Sequence, residues 1–401
     1  MKLLKWQVLF ALLAFGTFNA NAQEITESKF GKGLVNVVAK DSSFSLKFAT
    51  RFQSLFTSNW DFPGNENLQN GESNFLIRRA RLKFEGFAYS PKLRYKMELG
   101  LSNRDISGAS YYTHNAPRYI LDAVIKWNFY ENFDLWVGQT KLPGNRERIV
   151  SSGNMQTVDR SLVNSVFNVD REMGIQLHHG FDMGNNFLVK ESVAFTQGEG
   201  RNVTRGNIGG YHFTGRAEIY PFGDFKAYSG ADLDREQTPK LAIGAAYSHN
   251  GDAVKTESVS GSYMENDNGF YETDITTFFV DAMFKYRGLN ILAEYADRNA
   301  DAPIAVNTDG TLTGDVVEVG NGFNFQAGYL FKNNFEVVGR YTTIDLDENI
   351  TGEGVHNQYT LGLSKYIVGH KLKVQTDVSL NDFSDNMDNG LMYRLQVDIH
   401  F

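Results

Sequence analysis

Eight cations stand at alternate positions in segments whose other positions are apolar: Lys47 and Arg51, then Arg79, Arg81 and Lys83, then Arg94 and Lys96, and finally Arg394. Strand side chains alternate between two faces. Phe44, Leu46, Phe48 and Phe52 therefore send Lys47, Arg51 and Gln53 to the opposite side. Ala80, Leu82 and Phe84 likewise oppose Arg79, Arg81, Lys83 and Glu85, and Leu93, Tyr95, Met97, Leu99 and Leu101 oppose Arg94, Lys96 and Glu98. Three carboxylates, Glu85, Glu98 and Asp398, share that charged face. Rings of cationic side chains in a passage attract anions and set ion selectivity. A turn at Ser90-Pro91 brings Glu98 opposite Arg81 or Lys83, and Glu85 opposite Arg94 or Lys96, as ordinary cross-strand pairs. The same register sets Arg51 beside Arg79 or Arg81 on one flank and Arg394 on the other. Like charges across strands repel, so an offsetting group is expected: the loop carboxylate of Glu147 or Asp159, or an anion in transit.

The elements that hold these residues follow one rhythm. From Leu391 to Phe401 every odd position is apolar, while Arg394, Gln396, Asp398 and His400 take even ones. A single such segment also suits a soluble sandwich. Here the pattern recurs about sixteen times from residue 43 onward, and the gaps alternate short and long. The exception is the longer connection 221–239, which breaks the rule. Aromatics collect at the short-turn ends: Phe87, Tyr89, Trp127, Phe129, Phe133, Tyr220, Phe222, Tyr286, Phe331, Phe335, Tyr366 and Phe401. An even strand number, short turns at one end and an aromatic girdle describe a membrane β-barrel. The fold class read here is all-β: a transmembrane antiparallel barrel with short periplasmic turns and long external loops. The apolar faces meet outer-membrane lipid and the charged faces line water. The 38 glycines, 7 prolines and 13% aromatic content fit strands and turns.

The other end of the chain supplies the address. Lys2 and Lys5 precede an apolar run and Ala20-Asn21-Ala22, which reads as a signal peptide over residues 1–22. Residues 23–42 read as a lead-in and 43–401 as the barrel, with export to the outer membrane of a Gram-negative cell. Losing Lys2 and Lys5 takes the formal charge from −8 to −10, which disfavours nucleic acid as a partner. With no cysteine, neither disulfides nor thiolate metal sites exist.

The longest gap, 142–170, carries Arg146, Glu147, Arg148, Asp159 and Arg160. Loops of this length usually have a function, and in a wide barrel this one is expected to fold inward and narrow the bore. The later loops are acidic: Asp301, Asp309, Asp315 and Glu318 in one, Asp382, Asp385 and Asp388 in another. Neither a metalloprotease HExxH nor a GxSxG elbow is present, and His178-His179 straddles two strand faces. No enzyme, cofactor or metal is therefore expected. A surface receptor whose 299–321 loop binds a partner is the alternative to a diffusion channel for small hydrophilic solutes.

Three stretches carry a family resemblance: the strand from Phe75 through Arg78-Arg79-Ala80-Arg81 to Gly86, the segment Val137-Gly138-Gln139-Thr140-Lys141-Leu142-Pro143, and the turn Tyr220-Pro221-Phe222-Gly223. They resemble the phosphate-selective porin O/P family. The resemblance implies a trimeric sixteen-stranded porin whose third external loop enters the lumen. It also implies an arginine ladder at Arg51, Arg79, Arg81 and Arg394. Where family members look rich in lysine near the constriction, the 142–170 loop has arginines and no lysine.

Overall fold

The structure is a computed structural model that describes residues 30–62, 68–205, 208–384 and 389–401, with the backbone of 24–25. The signal-peptide segment, Pro63-Gly64, Asp385 and Asp388 lie outside the described residues.

Sixteen antiparallel strands close into a barrel: β1 (Ser45–Phe62), β2 (Gln69–Ala88), β3 (Ser90–Gly100), β4 (Ile120–Tyr130), β5 (Phe133–Lys141), β6 (Arg171–Asp182), β7 (Leu188–Thr196), β8 (His212–Tyr220), β9 (Lys240–Ala253), β10 (Thr273–Tyr286), β11 (Leu289–Ala300), β12 (Gly320–Leu330), β13 (Phe335–Leu346), β14 (Val355–Tyr366), β15 (Leu372–Phe383) and β16 (Asn389–His400). Each pairs with its sequence neighbour, and closure comes from β16 against β1, with Asp398 opposite Gln53 and His400 opposite Arg51. No sheet edge in the ring stays open, the condition for a sheet to cross lipid. The lead-in contributes a further strand, Val35–Val38, which pairs with the first residues of β1 and with Glu24–Ile25. It continues the sheet below the end of β16.

Alternation sets the faces. Ile125, Trp127, Val137, Ile175, Val193, Phe213, Tyr247, Leu361 and Val397 are exposed on the outside, and their neighbours in sequence turn inward. The short turns lie at one end. In the β10–β11 turn, Arg287 and Gly288 both have positive φ (48° and 95°), matching the twist that a two-residue hairpin requires.

Several expectations change. Residues 59–73 are not simply loop: β1 and β2 run on beyond the apolar band and pair as far as Asp61 with Gln69. A ladder held by backbone hydrogen bonds needs no apolar face once it leaves the lipid. Tyr220 and Tyr366 are fully buried, so they leave the girdle and face the lumen, whereas Tyr89, Trp127, Phe222 and Phe331 face out. Arg394 lies opposite Thr57, not beside Arg51. The β8–β9 connection, 221–239, breaks the short-turn rule because it does not stay at the periplasmic end. It climbs into the barrel.

Candidate permeation pathway

Two loops enter the lumen from opposite ends. The 142–170 loop crosses it and binds the far wall. Arg146 is wholly buried, its Nε 2.6 Å from Asp281 on β10 and its Nη2 2.6 Å from Glu218 on β8. The Asn145 amide and the Glu147 backbone N–H both donate to Glu294 on β11, at 2.8 and 2.9 Å. Gln156 donates to Glu336 on β13 at 2.6 Å, and Val158 N–H to Asp377 on β15 at 2.9 Å. Lys373 donates in return to the Met155 carbonyl at 2.8 Å. Each of these buried wall charges thus finds a loop partner, since a buried charge demands one. The helix Leu162–Phe167 packs Val163 and Phe167 against Ala194, Ala246, Phe279, Ala296 and Ile344, an apolar seat on the inner wall.

The periplasmic connection meets this loop from below. Lys285 donates to the carbonyls of Lys226, Ser229 and Ala231, and Tyr228 donates its hydroxyl to Glu218. Gly230 N–H reaches the Asn154 carbonyl of the 142–170 loop at 2.6 Å. A β-carbon at Gly230 would stand 2.6 Å from that oxygen, so only glycine allows the junction. Together the loops fill the lumen along β8–β15.

A cavity of about 960 Å³ opens mainly against β2–β7, bordered also by Arg216 and Glu218 on β8 and Arg394 on β16. Fourteen Lys and Arg residues line it against nine Asp and Glu, an excess of cations inside a chain of net charge −8. Four of the eight wall cations expected from sequence line this cavity: Arg79, Arg81, Lys96 and Arg394. Arg81 pairs with Glu98 at 2.9 Å and Asp105 at 3.3 Å, and Lys96 with Asp122 at 2.7 Å. The other four do not line it. Arg51 is buried, paired with Asp398 at 3.0 Å and covered by Ser152 of the crossing loop at 2.8 Å. Lys47 and Lys83 both bind Glu85, each at 2.7 Å, and Arg94 binds Asp134 at 2.8 Å. Of the loop arginines, Arg148 and Arg160 face the cavity, whereas Arg146 is the wall anchor. Arg148 pairs with Asp170, and Arg160 donates to the Glu147 and Val150 carbonyls, at 2.8 Å each. Burial, then the Arg148 charge, lowers the Arg160 guanidinium to about 9.

Asp398 on the wall offsets Arg51, Glu98 with Asp105 offsets Arg81, and the loop carboxylate that serves Arg79 and Arg394 is Asp159. Its Oδ1 lies 2.6 Å from Arg78 and 3.5 Å from Arg79, and its Oδ2 lies 3.5 Å from Arg394. Burial alone would raise this carboxyl; Arg78, then Arg79 and Arg394, overcome that and hold it below the usual carboxylate range. Glu147 has a different task, accepting from the Ser161 backbone N–H and hydroxyl.

Arg78 was not expected here, since strict alternation sends it to lipid. A bulge shifts the register between Gln53–Arg79 and Ser54–Ile77, so Arg78 turns inward beside Arg79. Two adjacent arginines inside an apolar-alternating strand are the available sign of such a bulge. Lys126 also lines the cavity, 3.3 Å above the Trp136 ring. Alternation along Ile125 and Trp127 would have found it. Gly138 explains its own motif: at φ 129° its β-carbon would lie 2.2 Å from the Ala123 carbonyl. Among the described residues no group of three or more His, Asp or Glu could hold a metal ion.

A profile of the family described as phosphate-selective porin O and P matches residues 50–399. The chain belongs to that family. This porin is 22% identical over 370 residues to an uncharacterized protein of Aquifex aeolicus (strain VF5), covering 85% of this chain and 84% of that one. Its barrel is similar to an anion-selective porin from Comamonas acidovorans (TM-score 0.54, 11% identity, 89% of this chain and 100% of that one). It is also similar to the outer-membrane channel DcaP of Acinetobacter baumannii (0.52, 11%, 91% and 99%). A third is OmpT of Vibrio cholerae in a trimer form (0.50, 9%, 90% and 100%). At these identities the likeness is one of fold. The porin is a channel of the Gram-negative outer membrane.

Proposed function

We propose that this porin is a passive diffusion channel that prefers small anions, phosphate among them, over cations. The observation that carries the reading is the cavity wall, where Lys and Arg outnumber Asp and Glu fourteen to nine. Arg79, Arg81, Lys96 and Arg394 contact the anion from the barrel wall, joined by Arg78, and Arg148 and Arg160 from the loop. Lys47, Lys83 and Arg94 act lower, toward the periplasmic end, each already tied to one carboxylate. Arg51 supports the wall rather than touching the solute. The family description and the Comamonas neighbour's name agree with this preference. The chain assembles as a homotrimer, as the trimer form of the Vibrio neighbour suggests.

Reversal potentials in a salt gradient across a planar bilayer test the reading. Wild type should prefer anions, and Arg79→Ala with Arg81→Ala should lower that preference more than total conductance. A cation-preferring wild type ends the anion reading and leaves the channel.

A further inference from the structure

His370 sits in the short turn between β14 and β15 and is 8% exposed, yet neither ring nitrogen has a hydrogen-bond partner among the described residues. Buried polar groups nearly always find one. The ring meets Tyr366 edge-on at 5.3 Å. Tyr366 in turn packs with Leu330 and with Ala231 and Leu233 of the 221–239 connection. Gly369, next to His370, abuts the same connection, since a β-carbon there would lie 3.6 Å from Leu233. The turn and the connection thus share one small apolar core.

The charges that act on His370 most strongly are Lys373 on β15 and Lys285 on β10. Each of them anchors a lumen loop. Lys285 holds the connection through the carbonyls of Lys226, Ser229 and Ala231, and Lys373 holds the 142–170 loop through the Met155 carbonyl. The surrounding carboxylates are engaged elsewhere. Asp398 on β16 binds Arg51 and Gln53 and lies 3.1 Å from His400, and Glu336 on β13 accepts from Tyr366 and Gln156. Asp232 in the connection accepts from the backbone N–H groups of Glu236 and Gly288. Burial, then Lys373 and Lys285, hold the His370 imidazole well below its usual range, so it is neutral while the loops are seated.

We propose that His370 is an acid-release catch for the 221–239 connection. A proton on the ring makes a third cation between Lys285 and Lys373, with no carboxylate in hydrogen-bonding reach. The imidazolium leaves the apolar core for water, Tyr366 loses its neighbour, and the seat of Ala231 and Leu233 opens. The junction from Gly230 N–H to the Asn154 carbonyl then parts, and the filled half of the lumen loosens from below. The sign follows from linkage. The released turn binds its proton at the ordinary histidine value of 6.5 and the seated turn does not, so closure is fully stable above 6.5 and weakens as pH falls below it. The catch governs how much of the lumen conducts, whichever ion passes, and so stands apart from the anion preference.

The test follows the full-length porin from pH 7 to pH 5 by two readouts. One is amide-exchange protection of residues 226–235, corrected for the intrinsic pH dependence of exchange, and the other is single-channel conductance. In wild type, protection should fall about 25-fold over that interval, the linkage expected of one histidine released at its ordinary pKa, and conductance should rise. In His370→Phe, which keeps an aromatic ring but cannot take the proton, both responses should vanish. An equal acid response in wild type and His370→Phe assigns the effect to other titrating groups and overturns the catch. Unchanged wild-type protection at the two pH values overturns it as well. Heat-shifted electrophoretic mobility verifies that each variant is a folded barrel, and should His370→Phe not fold, His370→Gln carries the same test. A cation-preferring wild type ends the anion reading and leaves these outcomes to decide the catch by themselves.

Discussion

The two halves of the lumen are built from the same residue types and end in opposite states. Along β8–β15 the wall carboxylates Glu218, Asp281, Glu294, Glu336 and Asp377 each receive a donor from the 142–170 loop. Wall cations there, Lys285 and Lys373, receive loop carbonyls. Along β2–β7 cations outnumber acids and face a void. A polar inner face therefore does not make a passage by itself. It makes one where the arriving segments bring fewer acids than there are cations, as they do here with Asp105, Asp159 and Asp170, and the cations in excess are what remains for a solute.

The largest expected effect comes from removing the lower half of the filling. Replacing 226–235 with a short Gly-Asn turn deletes Tyr228 and Gly230, and single-channel conductance should roughly double, since pore bore governs passage. Unchanged conductance would mean that the filled half stays shut without the periplasmic loop, and the contrast between halves would rest on the upper loop alone.

Arg146→Ala comes next. It strips a guanidinium from two wholly or nearly buried carboxylates, Asp281 and Glu218, leaving Arg216 to serve both. Breaking a buried pair in this way costs about 3–5 kcal/mol, so the loop anchorage should loosen, seen as a lower unfolding temperature and noisier open-channel current.

Arg51→Ala sharpens the comparison from the other side. Arg51 is covered by Ser152 and bound to Asp398. Its loss should lower barrel stability by about 3 kcal/mol while leaving ion preference close to wild type. A fall in anion preference as deep as that of the Arg79, Arg81 double variant would place Arg51 in the solute path.

The smallest effect concerns the external loop between β7 and β8. Burial raises the Glu199 carboxyl from 4.5 to about 8, and the Ile208 N–H bond only partly counters it. The folded state thus binds a proton that the unfolded loop has released, so stability present at low pH declines as pH rises from 4.5 to 8. Amide exchange in residues 197–211 should quicken over that interval, and Glu199→Gln should flatten the response.

Much of the barrel was legible because period-two alternation is enforced twice, by lipid outside and water inside. Strand number, end-to-end asymmetry and the inward aim of Arg79, Arg81, Lys96 and Arg394 all follow from it. The rule fails where the backbone departs from it: the bulge that turns Arg78 inward, and Tyr220 and Tyr366, aromatics buried inside instead of belting the outside.

What sequence alone determined is the wall, because a residue's face depends only on its parity and its neighbours along one strand. What tertiary structure decided is the passage. Whether Arg51 or Arg81 meets solute depends on which distant loop atoms arrive as acceptors: Ser152, 101 residues on, covers Arg51, whereas Arg81, paired with Glu98 and Asp105, still borders the cavity. Such pairings are many-body and non-periodic, so no spacing along the chain records them.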